Sequence, residues 1–228
     1  MHSLAKSHYW SRYFARLDPM HVLDHKGVIC IAAGSILVKL VSTCERLGRT
    51  QQLRLDALNT RMKNFQAAHG VEHRMPSLRL QDLKSSGWAD LKGKVVKAAN
   101  SRALLPWLDN LAQTFFAGHG SYNSSMRKVF STLVDIQKLF YSSEMFISAE
   151  GKKQLDALFK KLGRHWQNLR YLSSRAGEDA FQITPKVHLC LHFPEQALLI
   201  NPIFTQCYGE ESLIGKATKI WAASAQGT

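Results

Sequence analysis

The sequence predicts a mainly α fold, and three observations carry that expectation. The first is helical periodicity in two long segments. Between Asn123 and Tyr141 the residues Met126, Val129, Phe130, Leu133, Ile136 and Phe140 recur at helical spacing, which sets them on one face. Between Lys152 and Leu172 the stripe is Leu155, Leu158, Phe159, Leu162, Trp166 and Leu169. The second observation is an apolar run from Val28 to Val38 that stops at Lys39. It is too short to span a bilayer and fits a buried helix from Gly27 to about Arg46. The third is how little strand-like alternation there is. Only Val187 to Phe193 alternates, weakly, which allows one short strand at most.

The other elements follow in order. Gln51 to about Ala68 reads as a polar helix carrying Leu53, Leu55, Leu58, Met62 and Phe65, and Gly70 to Pro76 as a loop. Ser77 is placed to cap a short helix through Leu83, which Ser85-Ser86-Gly87 ends. Arg175 to Thr184 is a polar connector. Pro194 suits the first turn of a helix that runs through Ile200. Glu210 to Ala225 is helix-like and holds Lys216, Lys219 and Trp221. Repeats and low-complexity tracts are absent. The expected total is about six to eight helices, in three parts: 1–48, 49–184 and 185–228.

At 228 residues and 45% hydrophobic content the chain can bury a real core and does not have the composition of a disordered protein. Thirty Lys+Arg against 17 Asp+Glu give a formal charge of +13 and a pI of about 9.8. Such an excess favours a polyanionic partner, most often nucleic acid, though basic proteins of organelles and membrane surfaces share it. The charge is concentrated opposite the second stripe, on Lys152, Lys153, Lys160, Lys161, Arg164 and Arg170. This face is either simply solvated or a phosphate-contacting surface. Cys30, Cys44, Cys190 and Cys207 form no CxxC pair, so they are expected to be reduced and the chain intracellular. The first seventeen residues lack acids and carry Lys6, Arg12 and Arg16, as a mitochondrial presequence would. Their density of Tyr, Trp and Phe fits a packed segment better.

The chemistry-bearing stretch is LDPMHVLDHKG, with Asp18, His21, Asp24 and His25 within eleven residues. It is one of three His-x-x-x-His pairs, with His69/His73 and His188/His192. Four-residue spacing puts two rings on one helix face, but none of the pairs is HExxH, which excludes a zinc protease of that type. His188, Cys190 and His192 with Cys207 have zinc-binding chemistry at a spacing that matches no zinc motif, so zinc is not expected. On a strand the first three would share one buried, hydrogen-bonded face. GKAT at Gly215 to Thr218 lacks the glycine and loop of a P-loop. The carboxylates suited to a hard metal are Asp18, Glu210 and Glu211, provided the fold brings the two ends of the chain together.

Two blocks resemble the CACTA-type (En/Spm-like) DNA transposases. In HYWSRYFARLDPMHVLDHKGVICIAAGSIL and the Leu37 that ends it, a Tyr-Trp pair (Tyr9, Trp10) precedes an Asp-x-Met-His motif (Asp18, Met20, His21). A helix with a Gly-x-x-Leu step (Gly34, Leu37) follows. In LHFPEQALLINPIFTQCYGEESLIGK the matching positions are His192, Pro194, Glu195, Ala197, Pro202, Tyr208, Glu211 and Gly215. The order of the blocks and the helical segment between them are also similar. The resemblance implies an incomplete RNase H-like domain with a helical insertion, acting in its parent class by Mg²⁺-dependent DNA strand cleavage and transfer. It implies Glu211 as the final catalytic acid, Asp18 and His21 as an Asp-x-x-His element, and Asp18 and Glu211 as Mg²⁺ ligands once further carboxylates complete the site. Glu210-Glu211-Ser212 stands where the family has Phe-Glu-Arg, so Glu210 is the alternative acid, and Asn201 replaces the Gly of a Gly-Pro step. The family's first catalytic acid would lie upstream of this chain. The expectation is a truncated, transposase-derived, nuclear DNA-binding protein, inactive alone, with DNA as its partner and a homo-oligomer as an option. The alternatives are a non-catalytic basic helical binding protein and an unrelated small basic protein of an organelle.

Overall fold

The computed structural model describes residues 17–71, 75–85, 88–91 and 97–206. The chain enters through a five-residue π-helical turn, Met20–Asp24, closed by the His25 amide donating to the Met20 carbonyl at 2.6 Å. Lys26 then takes a positive φ of 49°, and a Cβ at Gly27 would lie 2.3 Å from the Val22 carbonyl oxygen. Only glycine fits this sharp entry into α1, Val28–Thr43.

Helix α1 is apolar nearly all round, and most of its residues are buried, as expected of a helix at the centre of a core. Residues 20–43 are long and apolar enough to cross a membrane by length and composition, yet most of that stretch is buried inside the fold. At Gly34 the backbone of Asp90 crosses so close that a Cβ would stand 2.4 Å from the Asp90 Cα. A buried arginine on α2, Gln51–Ala68, takes two C-terminal carbonyls of α1 and one from the loop after it: Arg54 donates to Val41 at 3.0 Å, Ser42 at 2.8 Å and Gly48 at 2.8 Å. Asn59, also buried on α2, clasps the following loop through both the Leu78 amide and carbonyl. A 3₁₀ turn, Leu80–Asp82, stands where the sequence predicted a helix from Ser77, because Asp82 bonds back to the Arg79 amide and closes the turn within four residues. A two-residue antiparallel pair follows, β1 (Lys84–Ser85) with β2 (Trp88–Ala89).

Helix α3, Ala98–Phe115, contains Pro106. Proline removes the bond to the carbonyl four residues back and usually ends a helix, so no helix was expected from this segment. Pro106 lies on the exposed side, while Leu104, Leu105, Trp107, Leu108 and Leu111 are buried.

Helices α4 (Ser121–Ser142) and α5 (Ala149–Arg175) form a long hairpin, and both predicted stripes are buried in it. Phe140 and Phe159 meet inside it with Phe193, at ring separations of 5.9–6.3 Å. Trp166 meets Phe181 edge-on at 5.4 Å. Val187 to Cys190 lies not in a strand but in α6, Pro185–Cys190. Thr184 caps it by accepting from the Val187 amide, Pro185 sits in its first turn, and Val187 and Cys190, three apart, face inward. A short α7, Phe193–Ala197, has Pro194 in its first turn. A 3₁₀ turn, Pro202–Thr205, ends the described chain near Gln206. One continuous core, from Val22 to Ala197, runs across all three predicted parts. The architecture is mainly α.

Candidate functional site

The opening Asp-His stretch folds into a locally bonded turn. His21 Nδ1 lies 2.5 Å from Asp18 Oδ2, and the Met20 amide donates to Asp18 Oδ1 at 2.9 Å. Both oxygens of Asp18 are therefore engaged locally, and His21 orients the carboxylate. His25 meets the His21 ring edge-on at 5.9 Å, and its carbonyl accepts from Lys186 Nζ at 2.7 Å. Asp24 is buried. Among the described residues no three His, Cys, Asp or Glu side chains converge as metal ligands, and Asp18 alone does not make a Mg²⁺ site. The implied second ligand, Glu211, and its alternative, Glu210, lie outside the described residues, as do Tyr9, Trp10, Tyr208 and Gly215.

The two ends of the described chain are joined. The Leu17 amide donates to Gln196 Oε1 at 2.8 Å, and the Leu17 carbonyl accepts from Gln196 Nε2 at 3.1 Å and from Thr205 Oγ1 at 3.0 Å. Residues of the two resemblance blocks thus meet one residue away from Asp18.

The predicted zinc candidates separate. His188 and His192 approach one another at 3.4 Å on the surface. Cys190 points into the core, where burial raises its thiol to about 12, an inert state. Cys30 is equally buried and is raised to about 11. His73 and Cys207 lie outside the described residues.

The basic face of α5 divides in two. Lys152 donates to the Leu198 carbonyl at 3.1 Å, Lys153 lies 3.9 Å from Glu150, Lys160 lies 2.6 Å from Asp156, and Arg170 lies 3.3 Å from Asp179. Lys161 and Arg164 meet no carboxylate among the described residues. They flank His165 together with Lys128 of α4, a residue the sequence did not single out. Burial first, then these three cations, hold His165 below its ordinary pKa. Its Nδ1 lies 3.1 Å from Ser125 Oγ, which also accepts from Asn168 at 2.8 Å. The hairpin therefore gathers three cations, which meet no carboxylate among the described residues, around a neutral histidine and a hydroxyl–amide network, a surface chemically suited to phosphate oxygens. Lys128 lies just off the buried stripe of its helix. Only knowledge that α4 pairs antiparallel with α5 would have brought it to Lys161.

Comparison of the chain with protein-family models, with curated proteins and with solved structures finds no match.

Proposed function

We propose that the chain is a DNA-binding helical protein of CACTA-transposase descent, acting in the nucleus. It holds duplex DNA on the α4–α5 hairpin and is not catalytic by itself. The observation that carries the binding half is the trio Lys128, Lys161 and Arg164 around His165, which no carboxylate among the described residues neutralises. Like charges gathered in this way repel, and a phosphate backbone relieves that repulsion while releasing counterions. Lys153 and Lys160 contribute less, because each must first leave an acid on its own helix. Such exposed pairs are weak, about 0.3–0.5 kcal/mol, so they are dimmed rather than lost to the surface.

Descent is supported by the Asp18–His21 bond and by the junction of Leu17 with Gln196 and Thr205, which brings the two resemblance blocks together. The hairpin would then belong to the family's helical insertion. Inactivity is supported by the local engagement of both Asp18 oxygens, since two-metal phosphoryl transfer needs several carboxylates directed at the ions.

Binding of a labelled duplex, followed by fluorescence anisotropy across a salt series, tests the first half. Reversing Lys128, Lys161 and Arg164 to Glu is expected to abolish binding, while Lys153→Glu with Lys160→Glu weakens it only slightly. Three phosphate contacts correspond to a slope of log affinity on log salt of about −2.7. Unchanged affinity in the triple variant would mean that the face is only solvated. Incubation with supercoiled plasmid and Mg²⁺ or Mn²⁺ tests the second half. Cutting that disappears in Glu211→Gln would overturn it.

A further inference from the structure

We propose that the groove between α2 and α3 is a second nucleic-acid site, which takes single-stranded nucleic acid by holding two backbone phosphates and stacking a base. A groove of about 710 Å³, counted with its open mouth, lies between α2 and α3. Its floor is apolar, formed by the buried Trp107 and Leu111. Asn64 and Asn110, both exposed, offer amide groups from opposite walls.

Two guanidinium groups stand at Phe115, Arg61 of α2 at 5.4 Å from its ring centroid and Arg46, from the 3₁₀ turn Glu45–Leu47, at 6.0 Å. Neither meets a carboxylate among the described residues, and no acid lines the groove. An arginine resting on an aromatic face is partly desolvated and held in place while its donors stay open. Each cation so held is preorganised for a phosphate oxygen. Eight residues further along α2, about 12 Å by helical rise, the exposed His69 ring stacks on Phe65 at 4.0 Å with only 19° between their planes. Because His69 Nδ1 faces the Phe65 carbonyl at 2.8 Å, it carries the proton and the ring is fixed. A fixed exposed ring is a platform for a base. Paired cations, a stacking platform and amide groups over an apolar floor are what sequence-tolerant binding of single strands requires.

This site goes beyond the hairpin surface and shares with that reading only the polyanionic partner. The decisive ligand is fluorescein-labelled oligothymidylate of about twelve nucleotides, within the range bound by single-strand modules, measured against full-length protein by anisotropy. Arg46→Gln with Arg61→Gln is expected to weaken oligonucleotide binding roughly ten-fold or more. It should also reduce the salt slope by about 1.4, two single-strand phosphate contacts, and leave duplex binding unchanged. His69→Ala should weaken the oligonucleotide without moving the salt slope. Unchanged oligonucleotide affinity in both variants overturns the site, as does thymidine monophosphate competing as well as the oligonucleotide, which would identify a free nucleotide as the occupant. Loss of duplex binding alone in the hairpin variant, with the oligonucleotide still bound, keeps the groove separate. Loss of both ligands there, with the groove variants silent, refutes the groove and leaves the hairpin standing.

Discussion

Removing the Asn201 side chain should loosen the end of the hairpin. Asn201 is fully buried and serves two backbones at once. Its Nδ2 donates to the Phe140 carbonyl at 2.9 Å and lies 3.2–3.3 Å from the Ser143 and Glu144 carbonyls, groups that the end of α4 leaves without helical partners. Its Oδ1 accepts from the Ile203 amide at 3.2 Å, while its own amide donates to Met145. An amide NH₂ has two protons, so the side chain makes about two carbonyl bonds and one accepted bond. In Asn201→Ala the backbone partners stay behind, some of them buried. At about 1 kcal/mol per net bond, more where a buried group is left unsatisfied, the loss is about 2–4 kcal/mol. For 228 residues the unfolding entropy is about 0.5 kcal/mol per kelvin, so Tm should fall by about 4–8 °C. Urea and thermal denaturation by circular dichroism measure this. Asn201→Asp should recover little, because a carboxylate facing carbonyl oxygens donates nothing. A loss below about 1 kcal/mol in the alanine variant, or rescue by aspartate, would show that Asn201 does not hold the turn.

Two further perturbations probe other joints. Gly34→Ala gains about 1 kcal/mol of helix propensity but drives a Cβ to within 2.4–2.5 Å of the Asp90 backbone; a net loss of about 2 kcal/mol or more is expected, and a stabilised variant in urea unfolding would refute the close crossing. His165, held below its ordinary 6.5, resists a proton that the unfolded chain accepts. Stability should therefore fall as pH drops through 6.5 and level off below the folded value. His165→Gln should flatten that part of the urea midpoint against pH, and an identical profile in both proteins would remove His165 as its source.

Residue order alone was enough for the elements with a regular apolar pattern. The stripes of α4 and α5 were legible because a helix with one buried face must repeat its apolar residues every three to four positions, and α1 was legible as an unbroken apolar run; the limits of the polar α2 agree with the sequence reading as well. The Asp18–His21 pairing was expected from the resemblance, and it forms locally because it spans three residues, within one turn. α3 was not, because Pro106 reads as a break, and only packing decides that its ring sits on the solvent side. Val187 to Cys190 was ambiguous, since a few apolar residues fit a strand or one turn of helix equally, and the Thr184 cap with Pro185 decides for the helix. What the basic residues do was beyond the sequence. Lys152, Lys153, Lys160 and Arg170 share a face with Lys161 and Arg164, yet the fold gives the first four an acid or a carbonyl and gives the last two Lys128 and His165 instead. The α2–α3 groove assembles Arg61, His69 and Phe115, and Arg46 stands over the same Phe115 ring from 69 positions away. Local spacing fixes which side chains share a helix face. Which faces meet is settled by burial of the whole core, and no window of sequence contains that.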